Sequence, residues 1–267
     1  MTLRFLLLLS IVVIYSAHIY SQTKSLRFVH YNIGQLSMGI KTHTAITPEI
    51  RSIKWKEYNE LIEKINADIF GVCEYSPCFS LLEDGTENNN DLSYNAIFSK
   101  YRYFEVNEKK GNSKNCNFIS SKEHKLFNFR TVPFSMRKGD RNFLVANIIF
   151  EGRRVVIVET HLDTPPNKEV RDAQIKELIN YLKNEEYVII GADFNVASPI
   201  EYDQFAEAGY LMANHGKFGD IKTFPTSEGG VCLDNIICKG LEILNVMVID
   251  TRLSDHFAIA CDLILKK

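Results

Sequence analysis

The stretch Val188-Ile189-Ile190-Gly191-Ala192-Asp193-Phe194-Asn195 constrains the fold of this chain more than any other. Its apolar run, Tyr187 to Ile190, is β-branched and has the length of a buried strand, so Asp193 and Asn195 arrive where that strand ends. In extended chain, residues two apart point the same way, and a carboxylate and a carboxamide would address one place. Taken alone, the segment reads as a strand closed by an Asx turn. Five other segments repeat the pattern. Leu26 to Ile33 ends in Tyr31-Asn32-Ile33-Gly34, and Asp68 to Cys73 delivers Glu74. Arg154 to Glu159 runs into Thr160-His161-Leu162-Asp163. Asp234 lies in the run Val231 to Cys238, and Leu253-Ser254-Asp255-His256-Phe257 precedes the strand Ala258 to Leu265. Strand ends are where α/β enzymes carry their chemistry.

Between these segments the chain alternates helices and hairpins. From Pro48 the pattern is helical, with Thr47 as cap and Ile50, Ile53, Leu61, Ile62 and Ile65 on one face, and Asn66-Ala67 ends that helix. Residues 76 to 93 form a long polar loop. Tyr101 to Val106, Cys116 to Ser121 and Asn142 to Phe150 read as strands, and Glu151-Gly152 turns the last of these into the next. After Pro165-Pro166 an amphipathic helix, Asn167 to Lys183, carries Val170, Ile175, Leu178, Ile179 and Leu182. Ser198-Pro199-Ile200-Glu201 reads as a capping box, opening a short helix that Gly209 closes, and Leu241 to Ile249 adds a strand. Hairpin-length turns disfavour a purely parallel sheet. The expected fold is α/β (α+β), two packed mixed β-sheets with helices outside.

Arg4 followed by the apolar run Phe5 to Ala17 reads as a secretory signal peptide, cut near Ser21-Gln22, and it is short of the roughly 20 apolar residues of a membrane span. An uncleaved anchor is the alternative. Removing residues 1–21 from a chain of 267 leaves 246, enough for one catalytic domain over 22–267. The leader carries one of 31 basic residues and none of 33 acidic ones, so the mature charge is −3. That balance does not suit holding nucleic acid by bulk charge, although Lys109-Lys110, Arg137-Lys138 with Arg141, and Arg153-Arg154 are local basic runs. Six cysteines show no metal-ligand spacing. Cys73, Cys116 and Cys261 read as core residues, and Cys73 to Cys78 or Cys232 to Cys238 as candidate disulfides.

Collected from strand ends, the polar set is Asn32, Glu74, His161, Asp193, Asn195, Asp234, Asp255 and His256. In these six motifs, in their order along essentially the whole mature chain, the sequence resembles the endonuclease/exonuclease/phosphatase superfamily of metal-dependent phosphoesterases. The resemblance implies a four-layer sandwich with the site at one end of the sheets. It also implies hydrolysis of a phosphate ester with a divalent metal, Mg²⁺ first and Mn²⁺ or Ca²⁺ as alternatives. The residues favour hard cations independently, since their donors are oxygens without cysteine.

On this resemblance Glu74 is the principal metal ligand, with Asp255 and Asn32 contributing; Asn32 also holds a phosphate oxygen. Asp193 orients or deprotonates the attacking water, and Asn195 donates to the phosphoryl group. Asp234 fixes the tautomer of His256 and stabilises its protonated ring, leaving either Asp193 or His256 as the base. His161 contacts the phosphate from the other side. Ser120-Ser121-Lys122-Glu123-His124 looks like a segment whose acid pairs with that histidine, which makes Glu123 the candidate orienter. The histidines at 18, 30, 43, 124 and 215 read as ordinary. Gly34 stands two residues past Asn32 where apurinic endonucleases carry an acid, which sets the chain apart from them, and Asn235 follows Asp234 where an aromatic is usual.

A monomeric, secreted or periplasmic phosphoesterase with a phosphate-ester substrate and no obligate protein partner is the expectation, membrane-anchored if the leader is retained. A nuclease comes first, a lipid or small-molecule phosphodiesterase or phosphatase second. A catalytically inactive binding protein on the same fold is the rival from another class.

Overall fold

Alternation with period two organises the molecule. In β1 (Leu26–Asn32), Leu26, Phe28, His30 and Asn32 share one face, while Val29 and Tyr31 share the other. Leu26 and Phe28 are buried with Ile69, Ile157, Ile189 and Ile236; Val29 and Tyr31 are buried separately with Tyr58 and Ile62. One face therefore meets a second sheet and the other a helix. A computed structural model describes residues 24–34, 48–75, 96–107, 116–196, 198–215, 221–226, 229–251 and 253–266. The leader and the polar loop 76–93 lie outside the described residues.

The first sheet runs in the order β11 (Leu241–Ile249), β12 (Ala258–Leu265), β1, β2 (Ile69–Tyr75), β4 (Cys116–Ser121), β3 (Tyr103–Val106). The second runs β5 (Phe127–Pro133), β6 (Asn142–Phe150), β7 (Arg153–His161), β8 (Val188–Asp193), β10 (Asp234–Lys239), β9 (Leu211–Met212). Both are mixed: β1 with β2 and β7 with β8 are parallel, among antiparallel neighbours. Helix α1 (Pro48–Ile65) covers the outer face of the first sheet. The second is covered by α2 (Lys168–Leu182) and by a 3₁₀ turn (Pro199–Tyr202) leading into α3 (Asp203–Glu207). The four layers expected from the sequence are present. Among the described residues no helix is long and apolar enough to cross a membrane.

Several local expectations need correction. Ile53 is 59% exposed, and Tyr58 takes the buried position on α1. Strand β5 was not anticipated, because it is an edge strand with mostly exposed side chains, bulged where it pairs with β6. Ser198 makes no side-chain cap. Glu201, read as its capping partner, faces Arg171 instead, with Arg171 Nε 3.0 Å from Oε2 and Nη2 3.1 Å from Oε1. Arg171 Nη1 also donates to the Thr164 carbonyl at 2.6 Å, tying the loop after β7 to the turn after β8. Cys232 and Cys238 are buried free thiols and not a disulfide; Cys73 is likewise free, and Cys78 lies outside the described residues.

Between the sheets one layer carries charge where the rest is apolar. His30 pairs across strands with Gly71, and Glu159 with Gly191. A Cβ at Gly71 would lie 2.0 Å from Glu159 Oε2; one at Gly191 would lie 2.7 Å from Oε2 and 2.8 Å from the Phe28 ring. The two glycines are the space that Glu159 occupies. We expect Gly191→Ala to cost about 1–3 kcal/mol, the usual penalty of overpacking, read as a lower urea midpoint. An unchanged midpoint would show that this layer is not tightly filled.

Candidate active site

The inner faces of five strands end together. Asn32 closes β1, Asp193 lies opposite His161 at the ends of β7 and β8, and Asp234 opens β10 opposite Asp193. Because β1 packs over β8 and β10, and β2 over β7 and β8, these ends converge across the sandwich. Glu74 enters at a bulge in β2, where the register against β4 shifts between Val72 and Tyr75. Its φ of 51° is a left-handed conformation that a glutamate adopts only where the surroundings enforce it. The loop before β12 brings His256, anchored by its backbone NH on Ser254 Oγ at 3.2 Å, while that hydroxyl donates to the Asn32 carbonyl at 2.8 Å.

Asn32 is the hub. Its Nδ2 lies 3.0 Å from Asp193 Oδ2, 3.4 Å from Glu74 Oε1 and 3.4 Å from His256 Nε2. His256 Nδ1 is 2.7 Å from Asp234 Oδ2, the pairing expected from the sequence. Burial works against the His256 imidazolium, but the charge and hydrogen bond of Asp234 lift its pKa to about 9. Burial likewise opposes the Asp234 carboxylate, yet His256 and His30 hold it well below the usual range. Burial first, then the charge of Asp234, pushes the Asp193 carboxyl up. An ionised Asp234 beside a protonated ring and a more basic Asp193 are distinct chemical tools within one pocket.

The second histidine differs in character. Burial, together with Arg141 and His256, depresses His161 well below the ordinary value, leaving it neutral. Asn195, in the left-handed conformation at φ 50°, places Nδ2 3.2 Å from the Leu162 carbonyl and 3.0 Å from His161 Nε2. The carbonyl fixes which end of the amide is the donor, so Nε2 accepts and the ring proton sits on Nδ1. Among the described residues that Nδ1 has no hydrogen-bond partner, and it lies 3.6 Å from Glu74 Oε1. It lines a cavity of about 160 Å³ with Glu74, Asn117, Lys138, Arg141 and Asn142. Asn195 thus reaches the site through His161, whereas the sequence reading gave it a direct phosphoryl contact.

Glu123 is a correction. Strand β4 runs antiparallel to β2, with Ser121 beside Ile69, so the residues after it lie at the opposite end of the sheet from Glu74. Glu123 is exposed there, and the acids beside His161 are Asp193 at 3.3 Å and Glu74. Asp255 is exposed at the rim, its Oδ1 3.3 Å from Ser254 Oγ, and adds negative charge near Glu74. Asn235 faces the outer layer toward Tyr202, as alternation along β10 requires.

His30, read as ordinary, is fully buried, with Nε2 3.0 Å from Asp234 Oδ1 and Nδ1 2.8 Å from Glu159 Oε1. Burial opposes its charge, but Glu159 and Asp234 raise its pKa to about 10; burial raises Glu159 to about 7 against the pull of His30. Its sequence signal was the spacing, for His30 stands two residues before Asn32 and Glu159 two before His161, on the same faces. Arg141, noted only as part of a basic run, lines the cavity with Lys138.

The donor set fits a hard divalent ion. Glu74 is 22% exposed, its carboxyl is raised chiefly by burial, and its one hydrogen bond, from Asn32, is long. Carboxylate oxygens from Glu74 and Asp255, with their negative charge incompletely met, suit such a cation, while Asn32, whose Oδ1 accepts from the Gly34 NH at 3.0 Å, presents its Nδ2 to the site.

No protein-family model and no curated protein matches the sequence. Solved structures do match in fold. TDP2 of D. rerio, complexed with a single-strand DNA product, aligns with a TM-score of 0.68 over 90% of this chain and 99% of its own, at 16% identity. The human Nocturnin catalytic domain with bound sulfate aligns at 0.66 over 91% and 95%, at 18% identity. An endonuclease/exonuclease/phosphatase from Bacteroides vulgatus gives 0.69 over 91% and 100%, at 17% identity. The chain has the endonuclease/exonuclease/phosphatase fold.

Proposed function

We propose that the protein is an exported, divalent-metal-dependent phosphoesterase that hydrolyses phosphodiester bonds, with nucleic acid as its first substrate class. The observation carrying this reading is the convergence of Asn32, Glu74, His161, Asp193, Asp234 and His256 in one contacting cluster, from which Glu74 and His161 reach the cavity. Glu74, with Asp255, would hold the ion, which when bound supplies charge neutralisation at the scissile phosphate. Asp193 orients the attacking water and takes its proton, being more basic than its neighbour Asp234. His256, charged and steadied by Asp234, faces the phosphoryl group as clamp or proton donor to the leaving oxygen. The free Nδ1–H of His161, set by Asn195, donates to a phosphate oxygen, and Arg141 and Lys138 add positive charge at the cavity wall. That the D. rerio TDP2 structure is complexed with a single-strand DNA product and the Nocturnin structure holds a sulfate anion supports an anionic ester as the substrate class.

A lipid or small-molecule phosphoester is the second reading, favoured by the acidic balance of 33 acids to 31 bases. One screen tests both, offering the purified protein plasmid DNA, RNA, sphingomyelin and phosphoinositides with Mg²⁺ and with chelator. We expect cleavage of at least one, nucleic acid foremost, lost with chelator and restored by excess Mg²⁺. No turnover of any would overturn the reading in favour of a binding protein, and chelator-resistant turnover would overturn the metal assignment. Export predicts a mature chain starting at Gln22, which N-terminal sequencing of the secreted protein checks.

A further inference from the structure

We propose that His30 and Glu159 form a buried brace that positions the Asp234–His256 pair, so that the hydrolytic machinery extends one layer into the sandwich core. This rests on the phosphoesterase reading. The geometry is continuous: His256 Nδ1 to Asp234 Oδ2 at 2.7 Å, Asp234 Oδ1 to His30 Nε2 at 3.0 Å, and His30 Nδ1 to Glu159 Oε1 at 2.8 Å. Asp234 thus spends one oxygen on the residue facing the pocket and the other on a residue behind it. A carboxylate gripped at both oxygens cannot rotate about χ2, so the direction of the His256 ring is set from inside the core. The Asp234 backbone NH, donating to Thr223 Oγ1 at 3.0 Å, fixes the main chain from which this side chain hangs.

Nothing about packing alone calls for these residues. Both are fully buried at positions flanked by Phe28 and Ile157, where an apolar pair would fill the space without desolvating charge. Among the described residues His30 Nδ1 and both Glu159 carboxyl oxygens make no hydrogen bond, so the two side chains meet as an ion pair at 2.8 Å, and two glycines are required to admit Glu159. Cys73 Sγ lies within 4.8 Å of the same donor atoms, which raises a bound metal as an alternative. The 2.8 Å approach of His30 to Glu159 argues against it, since two ligands on a tetrahedral ion at about 2.0–2.1 Å stand about 3.3 Å apart.

The experiment compares His30→Leu, His30→Gln and Glu159→Gln with the unaltered protein, reading kcat and KM on the cleaved ester and the low-field proton resonance of the His256 Nδ1–H. His30→Leu should lower kcat roughly ten- to a hundredfold, as losing the partner behind a working side chain usually does, with KM within about twofold. The resonance should shift or broaden. His30→Gln, whose amide can still donate to Asp234 Oδ1, should recover most of both. Glu159→Gln keeps the volume and should fold even where His30→Leu does not; it should show the same changes at smaller amplitude. Folded Glu159→Gln and His30→Leu proteins with wild-type kcat and an unmoved resonance would overturn the proposal, as would the same outcome for Glu159→Gln alone. The resonance needs no substrate, so its response separates failure of the brace from failure of the phosphoesterase reading.

Discussion

His256→Ala is expected to lower the rate of ester hydrolysis by about a thousandfold or more while the protein remains folded, because removing one group that meets charge in the transition state costs several kcal/mol of barrier. The ring is nearly buried, with Phe224 edge-on at 4.8 Å and Asp234 behind it, so its loss takes away the cation beside Asp193 and Asn32. Asp234 retains His30 as a partner, and the core beneath is unchanged, which is why the circular dichroism spectrum should be preserved. Steady-state rates on the ester identified in the screen measure the effect. Wild-type turnover by a folded His256→Ala protein would remove the histidine, and with it the pairing with Asp234, from the mechanism.

Arg171→Leu should be the most damaging single change to stability, at about 3–5 kcal/mol. The Arg171 and Glu201 side chains are 0% and 1% exposed, and two parallel N–H to oxygen contacts join them. Deleting the arginine takes from the buried Glu201 carboxylate the cation that faces it, and removes one of the donors to the Thr164 carbonyl, which keeps the Asn167 NH at 2.9 Å. The double variant Arg171→Leu/Glu201→Leu should recover much of the loss, since an apolar pair bears no desolvation cost. Urea denaturation of the two single variants and the double closes the cycle. Strict additivity would mean that the ion pair is not the interaction holding α2 to the turn after β8.

How much of this was legible depended on depth along each strand. Asn32, Glu74, His161, Asp193, Asp234 and His256 stand where apolar runs give out, and a polar residue at such a boundary draws notice. His30 and Glu159 sit one pleat further in, surrounded by Phe28, Val29, Ile157 and Val158, where a single polar letter looks incidental. What ties them together is partnership between sheets, and no spacing within one strand encodes that. Glu123 was misplaced for a related reason: its neighbours in sequence fit, but the direction of β4 carries it to the far end of the sheet. Asn195 stands at the end of its own strand, but the Leu162 carbonyl that turns its amide onto His161 belongs to another strand's exit. Edge strand β5 could not be recognised because its burial does not alternate as that of a half-buried strand would, with Asn128, Phe129 and Arg130 exposed in succession.

Asn32, Glu74 and His256 hang from one sheet, while His161, Asp193 and Asp234 hang from the other. The gap between those two sets is fixed by whatever fills the interior behind them, above all the ring of Phe28 wedged against the glycine rows. That ring is accordingly a ruler as well as ballast: a bulkier or slimmer residue there would change the width of the reactive cleft without touching any group that lines it.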